Sequence, residues 1–130
     1  MKISKVLVAA IIFFGLNVFA QDDNLPRKEV QIGLSGAFIP SGFDSSSDVY
    51  VIVNGVFHNG CYQWSRAEVE HVDAFNHTIK SIASVGQGMC IMVMVPFQKE
   101  VRLGKFVSGK HNLKFDNGDG TYFVKNLDVE

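Results

Sequence analysis

His58, Cys61, His71, His77, Cys90, Met92, Met94 and His111 carry donor atoms suited to a soft or borderline metal ion. Imidazole, thiolate and thioether suit zinc and copper. On an extended chain side chains alternate between two faces. Cys90, Met92 and Met94 would then stand in one row, with Met89, Ile91, Val93 and Val95 opposite. A thiolate and two thioethers in line would suit Cu(I). Against this, no two histidines stand at H-x-H or H-x3-H spacing, and methionine commonly fills irregular cores. The first expectation is therefore no metal and no cofactor. A copper binder using Met92, Met94, His58 and His111 is the alternative.

Calcium is suggested by Asp116-Asn117-Gly118-Asp119-Gly120. An EF-hand loop needs oxygen donors at its third and fifth positions, where this run has Gly118 and Gly120, so it reads as a hairpin turn. Catalysis by Cys61 or a serine would need a base in reach and an oxyanion donor. No G-x-S-x-G is present; the two Ser-Gly sites read Gly33-Leu34-Ser35-Gly36 and Phe106-Val107-Ser108-Gly109. Glu68 and Glu70 read as a solvated pair, and no enzyme is expected. Recognition has a better candidate. Tyr62 and Trp64, with Arg66 and Glu68 continuing the alternation, would form one aromatic and charged face for a protein or glycan partner, since Trp, Tyr and Arg are enriched in binding hot spots. The competing role for Trp64 is a core plug.

Residues 1–20 set the compartment in which these side chains work. Lys2 and Lys5 precede an uncharged apolar core over 6–15, and Val18-Phe19-Ala20 puts small residues at −3 and −1 before polar Gln21-Asp22-Asp23. This pattern predicts a cleavable signal peptide. The apolar run is shorter than the roughly 20 residues of a membrane-spanning helix and is broken by Gly15 and Asn17. No stable membrane insertion is expected after cleavage, and the mature chain would be secreted or periplasmic. Two lysines leave with the leader, so 12 basic residues become 10 against 13 acidic ones, a net of −3. A mildly acidic domain without basic clusters is a poor fit to nucleic acid. In an exported chain Cys61 and Cys90 are expected to form a disulfide.

The elements that must position these residues read as strands. Alternation over 30–34, β-branched and aromatic residues over 49–57, and hairpin signals at His58-Asn59-Gly60 begin the pattern. Residues 61–72, 77–85, 101–103, 111–115 and 122–129 continue it, with 35–48 as a loop. The nearly all-apolar run 89–95 predicts a strand buried on both faces and ended by Pro96. About eight short strands with frequent turns predict an all-β sandwich. The organisation expected is a leader at 1–20, a short lead-in at 21–28 and a single domain at 29–130.

One stretch carries a resemblance. Lys99-Glu100-Val101-Arg102-Leu103-Gly104, a spacer, then Gly109-Lys110-His111-Asn112-Leu113-Lys114-Phe115 resembles the E–F strand pair of immunoglobulin-like sandwiches in small exported bacterial proteins. Their pattern is Val-x-Leu-Gly-x-Leu, two or three residues, then Gly-x-Tyr-x-Leu-x-Val. The tyrosine of that pattern makes a corner bond to backbone; here its place falls on His111, and Phe106 takes the second apolar position. The resemblance implies an immunoglobulin-like, antiparallel sandwich of seven or eight strands. The antibody Cys…Trp…Cys spacing is absent, because Trp64 follows Cys61 by three residues. The function expected is a non-enzymatic module recognising a protein or cell-envelope component.

Overall fold

A computed structural model describes residues 26–130; the leader over 1–20 and most of the lead-in lie outside the described residues. Eight strands follow in order: β1 Lys28–Ile32, β2 Gly36–Phe38, β3 Val49–Phe57, β4 Tyr62–His71, β5 Asn76–Val85, β6 Val95–Gly104, β7 Gly109–Asp116 and β8 Tyr122–Val129. No helix occurs among the described residues. The strands form two sheets, and the all-β sandwich is established.

The larger sheet is organised around β5. Strand β4 covers one edge of β5 along its length. The other edge is divided: β1 pairs with residues 81–85 and β7 with residues 76–80. Strand β8 pairs with β7, and the smaller sheet has the order β2-β3-β6. Five of the six ladders are antiparallel, as expected; β5–β7 is parallel. A parallel pair needs a crossover, and β6 supplies it by carrying the chain through the opposite sheet.

Alternation builds the core. Val49, Val51 and Val53 of β3, with Val101 and Leu103 of β6, face Ile79 of β5, Leu113 and Phe115 of β7, and Leu127 and Val129 of β8. Phe115 and Leu113 are fully enclosed. Burial of such side chains stabilises by about 1.5–3 kcal/mol each. His111 shares the inward face with Leu113 and Phe115, as the sequence predicts. Residues 65–71 are strand rather than helix, also as predicted.

Two elements differ from expectation. A short strand, β2, lies inside the predicted 35–48 loop. More consequentially, residues 89–94 are not a buried strand but an exposed loop, and β6 begins at Val95. Pro96 lies inside β6 rather than ending a strand. It is tolerated because β6 is an edge strand, where proline's missing N–H is permitted.

Gly55 marks a close approach within β3. A Cβ there would stand 2.6 Å from the Phe97 ring, and that ring is already stacked on Phe57 at 4.3 Å between centroids. The ring has little freedom to retreat, which explains a glycine within an otherwise β-branched and aromatic strand. Gly55→Ala is expected to destabilise the fold by about 1–3 kcal/mol, read as a lower urea midpoint with an unchanged slope.

Candidate functional site

Loop 86–94 connects β5 to β6 at one end of the sandwich. Residues 86–98 contain no charged side chain. The loop is nonetheless turned to solvent: Met89 is 103 % exposed, Met92 80 %, Met94 73 % and Ile91 72 %, with Val93 also exposed. Cys90 is joined to Cys61 at the head of β4, with 5.2 Å between Cα atoms. The Gly60 N–H donates to the Ile91 carbonyl at 2.8 Å, and the Gly86 N–H to the Cys61 carbonyl at 2.9 Å. Arg27 adds a clamp, donating to the Cys61 and Ser84 carbonyls at 3.2 and 3.0 Å. Gly88 bends the loop with a φ of 128°, a region that favours glycine.

This arrangement explains why the apolar run is not a strand. The β3 edge is occupied by β6, whose Val95 pairs with Phe57, while the disulfide draws Cys90 to the start of β4. Hydrophobic pattern alone does not separate a buried strand from a stapled apolar loop. The disulfide also removes Cys61 as a thiolate nucleophile and Cys90 as a copper ligand.

The predicted binding trio is not brought onto one face. Arg66 pairs with Ile82 and Trp64 with Ala83, so Ser65 is an extra residue in the β4 ladder. Such a bulge shifts the alternation. Tyr62 and Trp64 are half-buried: Tyr62 stacks at 5.9 Å on Phe57 and Trp64 lies 5.8 Å from Phe97. Trp64 packs against the core. Arg66 and Glu68 are exposed, and Arg66 is engaged with Glu29 at 2.6 Å and Glu68 at 2.8 Å. The single Tyr62-Trp64-Arg66-Glu68 platform is thereby corrected.

The opposite end of β5 holds a histidine chain. A short hairpin sets His71 opposite His77; Asp73 shapes its turn by accepting from the Phe75 and Asn76 N–H groups, both at 2.8 Å. His71 Nδ1 lies 2.6 Å from His77 Nδ1, and His77 Nε2 lies 2.9 Å from His111 Nδ1. His111 Nε2 donates to the Val107 carbonyl at 2.6 Å. The bond ties the start of β7 to the backbone four residues earlier.

Because a carbonyl only accepts, the inner proton orients the whole chain. With neutral rings, His111 accepts from His77, and His77 accepts from His71. His71 is exposed, whereas His77 and His111 are buried. Phe106 stacks on His77 at 4.1 Å and on His111 at 4.8 Å. Burial, followed by the nearby His71 and His111, pushes the His77 pKa down to about 4. A second proton on His77 would also set its Nδ1 against the donor of His71.

The chain fixes the fate of the predicted copper ligands. His111 has both nitrogens committed, and Val85 lies eight residue steps along β5 from His77, a span of roughly 26 Å at 3.3 Å per residue. His111 therefore cannot join Met92 and Met94. His58 does lie at the loop's end of the molecule, edge-on to Tyr62 at 5.8 Å. Among the described residues no group of three or more His, Cys, Asp or Glu side chains is arranged to hold a metal. His71 and His77 stand six residues apart, outside H-x-H and H-x3-H spacing, although an Asx turn between two strand-borne histidines is a readable signal for their pairing.

Residues 51–125 match the family described as the ORF11 beta-sandwich domain. The chain belongs to that family. The matched ORF11 beta-sandwich region runs from β3 into β8 and includes both the stapled loop and the three histidines. No curated protein and no solved structure matches the chain.

The histidine chain predicts a pH dependence of stability. His77 is neutral in the fold until about pH 4, whereas an unfolded histidine takes its proton near 6.5. Between those values the unfolded state binds more protons, so stability falls as pH falls from about 6.5 to 4, by on the order of 2–3 kcal/mol. Urea unfolding at pH 7 and pH 4.5 measures the loss. His77→Leu is expected to reduce that difference.

Proposed function

We propose that the domain is an exported, non-enzymatic binding module for a protein or cell-envelope component, and that loop 86–94 is its docking element. The observation that carries this reading is the exposure of five apolar side chains, Met89, Ile91, Met92, Val93 and Met94, on one loop. A free loop would bend such residues inward to bury them. Here the disulfide and the Gly60, Gly86 and Arg27 hydrogen bonds hold the loop out. Apolar surface held in water at a cost of roughly 25 cal/mol per Å2 is characteristic of a surface that is covered in use, and methionine adapts its shape to a partner.

Export accords with the leader-like residues 1–20, and the secreted or periplasmic location with the disulfide, because oxidising compartments maintain such bonds. The His111 corner supports the likeness to small exported bacterial immunoglobulin-like domains. The net negative charge of the mature region argues against a nucleic-acid partner. No helix of the described residues is long and apolar enough to cross a membrane.

Copper binding is the second reading. The exposed thioethers of Met92 and Met94, at the same end as His58, favour it; His111 no longer contributes. The two readings separate experimentally. Met92→Asp with Met94→Asp is expected to leave the melting temperature within about the range of ordinary surface substitutions, ±0.5 kcal/mol, while abolishing cross-linked capture from native envelope. Unchanged capture would refute the docking element. Cu(I) titration of the unsubstituted protein tests the second reading, and stoichiometric uptake lost in the same variant would favour it.

A further inference from the structure

Every methionine among the described residues lies on the stapled loop: Met89, Met92 and Met94. We propose that these three form a sulfoxidation site through which a hydroperoxide turns the docking loop off. The inference rests on the docking reading above, and three observations extend it. First, the thioethers are open to solvent, Met89 fully so, and oxidation follows access. Second, the faster competing sulfur is absent, since no free cysteine occurs among the described residues. Third, the loop contributes none of the buried core residues, so a polar sulfoxide there leaves the sandwich packed.

The step is a two-electron oxygen transfer. The thioether sulfur attacks the terminal peroxide oxygen, a sulfur–oxygen bond forms and the oxygen–oxygen bond breaks. The departing oxygen leaves as alcohol or water after taking the transferred proton. Sulfur is oxidised and the peroxide is reduced. Each event converts a flexible apolar side chain into a polar one. With no charge over residues 86–98, apolarity is the property the loop has to lose. Methionine sulfoxide reductases return the sulfoxide to the thioether, a thiol supplying the two electrons and the oxygen leaving as water, so the change is reversible. Fixing the loop by Cys61–Cys90 keeps the thioethers outside while the partner is absent.

The test uses the mature, disulfide-bonded protein and hydrogen peroxide. Peptide mapping is expected to find oxygen added at Met89, Met92 and Met94 at rates within about tenfold of free methionine, with an unchanged melting temperature. Retention on a phenyl resin and cross-linked capture from native envelope should both fall at least fivefold and recover after methionine sulfoxide reductase. A variant carrying Met89→Leu, Met92→Leu and Met94→Leu keeps the apolar surface without the sulfur, and its retention and capture should ignore peroxide. Slower oxidation, or loss of fold on oxidation, overturns the site. Capture that survives complete sulfoxidation overturns the switch and leaves docking standing. Absence of capture before any oxidation overturns the docking reading and the switch with it, whatever the mapping shows.

Discussion

Strand β5 is hydrogen-bonded along both edges, by β4 on one side and by β1 and β7 in succession on the other. Its ten residues must therefore satisfy ladder bonds on both sides while their inward side chains meet β3 and β6. The two notable features of the molecule sit at its two ends. Residues before Ile79 present His77 to His71 and His111; residues after Val85 lead straight into the stapled loop. Loss of β5 pairing would dissolve both at once.

At the histidine end, polar groups are buried where a sandwich would ordinarily place apolar ones. Leaving a buried imidazole unpaired costs on the order of 1–3 kcal/mol. The chain from His71 to the Val107 carbonyl avoids that by passing each donor to the next acceptor, with Phe106 and Phe75 against the ring faces. It fastens the β4–β5 hairpin to β7 and to the connection after β6. These bonds add direction to the side-chain packing at that end of the sandwich. At the loop end the logic is reversed: apolar groups are exposed and covalent chemistry holds them so. Cys61 serves twice, through its sulfur to Cys90 and through its carbonyl to Gly86 and Arg27.

Strand periodicity was the most legible signal. Alternation in 49–57, 111–115 and 122–129 corresponds closely to β3, β7 and β8, and the Asn, Asp and Gly residues of 116–120 to a hairpin loop. The Cys61–Cys90 pairing followed from compartment and number rather than from geometry. Legibility failed where one residue changes the phase. The extra Ser65 in β4 reverses the faces of Arg66 and Glu68 relative to Trp64, and no composition or propensity distinguishes that residue from its neighbours. It failed again over 89–94, because apolar residues look the same whether buried in a sheet or held outside one.

Taken alone, the sequence determined that the chain is β, where most strands and turns fall and that its two cysteines pair. These are local matters of period, backbone preference and count, each set within a window of a few residues. Only the tertiary structure decided which faces meet. The parallel β5–β7 ladder, the line of His71, His77 and His111, and the outward set of Met89, Met92 and Met94 depend on which edges are already occupied. Edge occupancy is a property of the assembled sheets, set by pairing between residues far apart in the chain, and no local window contains it.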